Sequence, residues 1–228
     1  MQILSVPVFS VVLTLLAYQA GVLLQKKFRS PLCNPILIAV VLVIVFLVIT
    51  GLPLKTYQAG TASISWLMTP ATVCLAIPMY EQYRILKKNL RGIICGIAAG
   101  AVCCAVMTLG LCLVFGFSHE LTVSLLPKSI TSAIGVPIAE LAGGMASVCT
   151  AAIIFTGILG SMFGSVFCRW FALTDKIAQG VAFGTAAHVI GTAKANELDP
   201  LVGAVSSLSL VIAGLLTAVI LPVLFTML

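Results

Sequence analysis

Charge is what this chain most conspicuously lacks. Of its 228 residues only 8% are Asp, Glu, Lys or Arg, against about 25% in an ordinary soluble domain. Hydrophobic residues make up 61% and the mean hydropathy is +1.23. So few ionised groups cannot clothe a solvated globule, which leaves an all-α, polytopic membrane protein embedded in a lipid bilayer. Acidic residues are scarcest, 6 against 12 basic, for a net charge of +6. The basic residues sit in short clusters between apolar runs, as in cytoplasmic loops, and not on a continuous basic face, so nucleic acid is not the partner. Paired C-x-x-C spacing is also missing. Cys33, Cys74, Cys95, Cys103, Cys104, Cys112, Cys149 and Cys168 are scattered through apolar runs and read as small hydrophobes, with no disulfide framework and no metal site. There is no nucleophile–base pairing and no phosphate-binding glycine loop, hence no catalytic residue, no cofactor and no enzyme. The first apolar run lacks a preceding positive segment, since its basic cluster (Lys26, Lys27, Arg29) follows it. It reads as a retained helix and not a removable signal peptide.

What is present is a series of apolar runs long enough to span about 30 Å of hydrocarbon. Residues 5–24 form the first. Asn34-Pro35 opens a second, to residue 50, with proline where its missing N–H costs no helical bond. Residues 51–60 read as a loop. Residues 62–80 form a weaker span carrying Pro70, Thr72 and Pro78, which the prolines should bend. Arg84, Lys87, Lys88 and Arg91 then mark the cytoplasmic side, and residues 92–117, 145–167 and 201–228 complete six full spans.

Two stretches fit no span. Residues 124–144 (SLLPKSITSAIGVPIAELAGG) carry Pro127, Lys128, Ser129, Thr131, Ser132, Pro137 and Glu140. Residues 180–199 carry Gly184, Thr185, His188, Gly191, Thr192, Lys194 and Glu197. Broken backbone is tolerated at membrane depth only where protein or a water-filled cavity surrounds it. If both stretches dip in and return, Arg169 and Lys176 stay on the cytoplasmic side; if 124–144 crosses, they do not. We favour two re-entrant segments. Sliding the chain by 57 residues pairs Glu140-Leu141 with Glu197-Leu198, Val148 with Val205, Gly157 with Gly214 and Leu159 with Leu216. This suggests an inverted repeat within a single domain of residues 1–228: N-terminal helices 1–120, then units 121–168 and 175–228.

Broken helices expose N–H groups that attract anions, and nearby lie hydroxyl donors (Ser129, Thr131, Ser132, Thr185, Thr192), a cation (Lys128) and an imidazole (His188). These form the expected substrate site. Lys128 either serves that site or snorkels to the interface. His188 either carries a coupling proton or hydrogen-bonds a backbone carbonyl. Glu140 and Glu197 either pair with lysines or accept a coupling proton, or mark where each break meets water. Asn34, Pro35, Pro70, Thr72, Pro78, Pro127, Pro137, Gly184 and Gly191 read as devices of helix-break geometry.

At Asn34-Pro35, PATVCLAIPMY (70–80), SLLPKSIT (124–131), Thr156-Gly157, Gly160 and GTAAHVIGTAKA (184–195) the chain resembles the LrgB/CidB family of bacterial membrane proteins, in family order over nearly its whole length. The resemblance implies a multi-pass protein of the bacterial cytoplasmic membrane, under two descriptions. One is antiholin- or holin-like control of murein hydrolase activity, autolysis and programmed cell death, with a small LrgA/CidA-type membrane partner. The other is transport of small monocarboxylates such as pyruvate, lactate or glycolate; a plastid relative with fused LrgA-like and LrgB-like parts moves glycolate and glycerate. Thr131-Ser132-Ala133 and Lys194 depart slightly from the usual family pattern, which puts substrate identity in doubt. A homodimer is the base-rate expectation for an oligomer.

Overall fold

A computed structural model describes residues 7–28 and 34–225. Ser5, Arg29, Cys33 and the last three residues of the expected final span lie outside the described residues, as does the side chain of Thr72. Every regular element among the described residues is helical. The chain divides into two compact units, Met1–Cys74 and Leu75–Leu228.

In the first unit, α1 (Pro7–Phe28) packs on α2 (Pro35–Thr50). Asn34 caps α2 by accepting hydrogen bonds from the Ile36 and Leu37 N–H groups, with Pro35 at the first helical position. Gly21 lets the helices touch, since a methyl group there would lie 2.6 Å from the Pro35 carbonyl oxygen. The expected loop at 51–60 contains a helix, α3 (Leu54–Gly60), and the expected bent span at 62–80 is three short pieces: α4 (Ala62–Trp66), α5 (Met68–Cys74) and α6 (Ala76–Glu81). The cause is steric. A proline ring collides with the carbonyl four residues earlier; for Pro70 and Pro78 those carbonyls belong to Trp66 and Cys74, where α4 and α5 end.

The second unit continues from α6 with α7 (Tyr83–Val114), α8 (His119–Leu125), a 3-10 turn (Leu126–Ser129), α9 (Ser132–Leu141), α10 (Ala146–Trp170), α11 (Lys176–Leu198) and α12 (Pro200–Phe225). Among the described residues α1, α7, α10 and α12 are long and apolar enough to cross a membrane. Their outward faces stay apolar: Val114, Leu215 and Val219 are all exposed. In water such a surface would aggregate; in lipid it needs no partner.

α11 is not one rod. Backbone angles at His188 (φ 40°, ψ −138°) leave the helical region, and the chain doubles back there. Lys176 Nζ and Asp199 Oδ2, from opposite ends of the element, are 2.6 Å apart. A methyl group on Gly191 would lie 2.9 Å from the Phe183 carbonyl oxygen, eight residues back. Both limbs run along the same part of α12. Gly180 meets Val202 and Val205, Gly184 meets Ser206 and Ser209, Thr192 bonds Ser206, and Asn196 returns to Gly203.

The segment α8–α9 also doubles back. Its tip is extended backbone at Ile130 and Thr131. Ser124 accepts a 2.7 Å hydrogen bond from Met145 N–H, Pro127 faces Gly135, and His119 and Leu141 from opposite ends line one small cavity. This hairpin starts beside Pro222 and Phe225 and reaches Gly214 through Ile134, so the two hairpins approach each other from opposite ends of α12. Their boundaries recur at the 57-residue offset: α8 and α11 begin at His119 and Lys176, α9 and α11 end at Leu141 and Leu198, and Thr131 and His188 occupy the tips. Ser118 and Asp175 cap the first limbs through the N–H groups of Leu121 and Ala178.

The Lys176 ammonium, then the Leu201 N–H, holds the Asp199 carboxyl below the usual carboxylate range. A depressed carboxylate stabilises the fold above its unfolded pKa and loses that contribution as pH falls through its folded pKa. The Lys176–Asp199 clasp therefore opens only in acid stronger than an ordinary aspartate requires. Spin labels at positions 176 and 199 should report a separation far below the ~34 Å that a straight helix of this length imposes. A distance near ~34 Å by pulsed electron resonance would reject the hairpin.

Candidate functional site

The second hairpin reaches depth because α10 presents glycine to it. A methyl group on Gly157 would lie 2.6 Å from His188 Nε2, and Gly160 and Gly164 meet Ala187 and the Phe183 ring as closely. These residues, at helical spacing on α10, face the tip of the second hairpin and the end of its first limb. Gly157 also leaves uncovered the Ile153 carbonyl one turn earlier. His188 Nε2 lies 2.9 Å from that oxygen; a carbonyl can only accept, so Nε2 carries the proton. The His188 carbonyl in turn accepts from Thr192 Oγ1 at 2.9 Å, and Thr192 and Ser206 hydroxyls are 2.8 Å apart. Thr192 has one proton and has given it to His188, so Ser206 donates to Thr192. The reversal is thus tied to α10 and to α12.

The first hairpin meets α10 at Ile153 and one turn earlier, where Ala139, Cys149 and Ile153 pack together and Gly135 faces Ile153. The two tips therefore converge on the middle of α10. Beside them lies a cavity of about 760 Å³ lined by Lys128 and Ser129 from the first tip, Phe155, Thr156 and Gly160 from α10, and Ala186 and Ala187 from the second hairpin. Lys128 is half-buried there, its Nζ 3.5 Å from Ser129 Oγ. Ion pairs among the described residues are Lys176–Asp199 and Lys194–Glu197, so Lys128 has no carboxylate partner. A lysine at the centre of a membrane helix costs about 2.5–3.5 kcal/mol even on mild insertion scales. The remaining walls are apolar, including Phe163, Phe167 and Phe183. A second cavity of about 700 Å³ shares Cys168, Leu173 and Phe183 with this chamber and is lined by Arg169, Lys176 and Gln179.

Of the residues anticipated as substrate-binding, Lys128 and Ser129 line the chamber. Thr131 lies at the tip and Ser132 begins α9, both half-buried. Thr185 bonds the Val181 carbonyl and packs on Gly100 of α7, while His188 and Thr192 face α10 and α12. These three build the wall behind the chamber. Glu140 and Glu197 are both exposed near hairpin ends, Glu197 paired with Lys194 at 2.8 Å. Pro127 opens the 3-10 turn and Pro137 sits inside α9. Gly184 and Gly191 provide close approaches within the second hairpin and to α12. Ser206 and the phenylalanines of the chamber were not anticipated; a lone serine or phenylalanine in an apolar helix carries no local signal. No group of three or more His, Cys, Asp or Glu among the described residues could hold a metal ion.

Long apolar helices with exposed apolar faces, and in the second unit two broken hairpins beside an open cavity, define a polytopic integral membrane protein. The chain belongs to the LrgB-like family, whose family model matches residues 14–227. Proteins named "Holin-like protein CidB" from two strains of Staphylococcus epidermidis are each 36% identical to it over 217 residues, covering 95% of either chain. No solved structure matches it.

Substituting Gly157→Ala should force the His188 ring off the Ile153 carbonyl and cost about 1–3 kcal/mol, the usual penalty of overpacking. Gly110→Ala, where nothing lies within 4 Å, should be neutral or slightly stabilising. Unfolding in detergent measures both, and equal effects would contradict the packing described.

Proposed function

We propose that this protein is a secondary transporter, or the transporting subunit of one, for small monocarboxylates such as pyruvate, lactate or glycolate. The observation that carries the reading is Lys128: a cation with no carboxylate partner, at a hairpin tip, in a chamber level with the middle of α10. A single anion would neutralise it, and Ser129 and Thr156 would supply hydroxyl donors. In this reading the recurring 57-residue boundaries reflect an inverted repeat, and the hairpins are re-entrant segments entering from opposite faces of the bacterial cytoplasmic membrane. The basic residues Arg84, Lys87, Lys88, Arg91, Arg169 and Lys176 then lie in the cytoplasm. His188, at the tip of the second hairpin, is the residue we assign to proton coupling. An LrgA/CidA-type protein is the partner we expect, and a homodimer the assembly.

A second reading, a holin-like or antiholin-like regulator of murein hydrolases, is favoured by the names of the Staphylococcus epidermidis relatives. It gives no role to an uncompensated lysine at the chamber. Uptake of labelled pyruvate, lactate and glycolate into proteoliposomes under a pH gradient, with and without an LrgA/CidA-type partner, separates the two. We expect saturable uptake that Lys128→Gln reduces at least a hundredfold without loss of folded protein, and that His188→Gln uncouples from pH. Absence of flux for every acid in all conditions would sink the transport reading.

A further inference from the structure

We infer that the projecting start of α7 binds the headgroup of an anionic phospholipid, whose acyl chains run down the same side of the helix. The site is separate from Lys128 and from either reading of function.

α7 is longer than a membrane requires. Its 32 residues extend about 48 Å, against about 30 Å of hydrocarbon. The excess lies at its start. Gly96 of α7 meets Val181 of α11, and Gly100 meets Thr185 in the same register, so Arg91 stands level with Lys176, the first residue of α11. The turns from Tyr83 up to Arg91 therefore project past the start of α11 by about 12 Å.

This projection carries Arg84, Lys87, Lys88 and Arg91, all exposed. At about 100° per residue they share an arc of about 100°, turned away from Leu86 and Ile93, which are buried in a cluster with Val205. Ion pairs among the described residues are Lys176–Asp199 and Lys194–Glu197, so none of the four has a carboxylate partner. The helix N-terminus adds its own positive end. Tyr80 and Tyr83 are exposed beside the cluster, with Lys87 Nζ over the Tyr83 ring; aromatic residues gather at headgroup level. Further along the same side of α7 come Ile94, Val102 and Val106, all exposed. A free phosphate or an acidic peptide would use the cations and leave this apolar strip unused. A phospholipid uses both, its phosphate on the cations and its chains on the strip.

The test is lipid binding to the full-length protein in an uncharged detergent, measured by native mass spectrometry with phosphatidylglycerol and phosphatidylcholine of identical chains. Phosphatidylglycerol should bind more tightly. Its affinity should fall about fivefold for each charge removed, hence about 25-fold in Arg84→Gln/Lys88→Gln and in Lys87→Gln/Arg91→Gln, with phosphatidylcholine unaffected. Arg169→Gln, at the same end of the unit but on α10, should change neither. All five side chains are exposed, and elution as a single species checks that each variant folds. Equal affinity for the two lipids, or a preference that survives both double substitutions, would overturn the inference. Displacement of phosphatidylglycerol by glycerol 3-phosphate or by polyglutamate would overturn it too, assigning the cluster to a free phosphate or to an acidic protein segment. None of these outcomes touches the transport reading.

Discussion

The hydrogen bond between His188 and the carbonyl of Ile153 is the interaction on which the second half of this protein depends. Apolar surroundings offer no water to a broken helix, so every polar group freed at the break needs a protein partner. A non-glycine residue at φ 40° and ψ −138° costs about 1–3 kcal/mol and persists only where its neighbours over-determine it. Here they do: the ring is held by α10, and the carbonyl by Thr192 and, through it, by Ser206 of α12. The limbs are clasped again at their far ends by Lys176 and Asp199. Remove the tie at the tip and the cheapest alternative is a straight helix, which would abolish the reversal and the chamber wall with it.

The tie in turn requires glycine on α10. Gly157, Gly160 and Gly164 bring the hairpin backbone close enough for the imidazole to reach a helical carbonyl, and side chains there would hold the elements apart. The first hairpin uses a different device. Its tip follows a 3-10 turn that carries Pro127 in its first positions, and Ser124 in the last turn of α8 ties it to the start of α10 by accepting from the Met145 N–H. The left-handed residue that turns the chain out of it is Gly143, at φ +83°, where an L side chain would be strained. One hairpin is held at its tip and clasped at its far ends, the other is pinned to the start of α10, and both reach α10 at Ile153. The cavity lies beside the two tips, and Lys128 lines it from the 3-10 turn Leu126–Ser129, which follows the end of α8 and carries Pro127 in its first positions.

Much of this was legible in the chain. Scarce charge identifies the membrane class, and the LrgB-like membership follows from long motifs in order. Polar and proline-rich interruptions located both breaks, because only a break explains hydroxyls, prolines and a lysine inside an apolar run. The Asn34-Pro35 helix start was readable because capping is local. Less legible was the segment 62–80, where prolines divide an expected bent span into three short helices. Proline announces that a helix is disturbed, but whether it bends or stops depends on what packs around it.

By itself, then, the sequence determined the solvent this protein lives in, the family it belongs to and the positions at which its helices fail, since hydropathy, motif and backbone chemistry are local properties. Tertiary structure decided which polar residues face the chamber. Of the hydroxyl, imidazole and ammonium groups clustered at the two breaks, Lys128 and Ser129 line it, while Thr185, His188 and Thr192 turn towards α7, α10 and α12 to hold the hairpin together. No sequence pattern separates those roles, because in a helix break the direction of a side chain is set by the nearest available hydrogen-bond partner. Those partners, Ile153 for His188 and Ser206 for Thr192, lie on other helices and reach them only through packing.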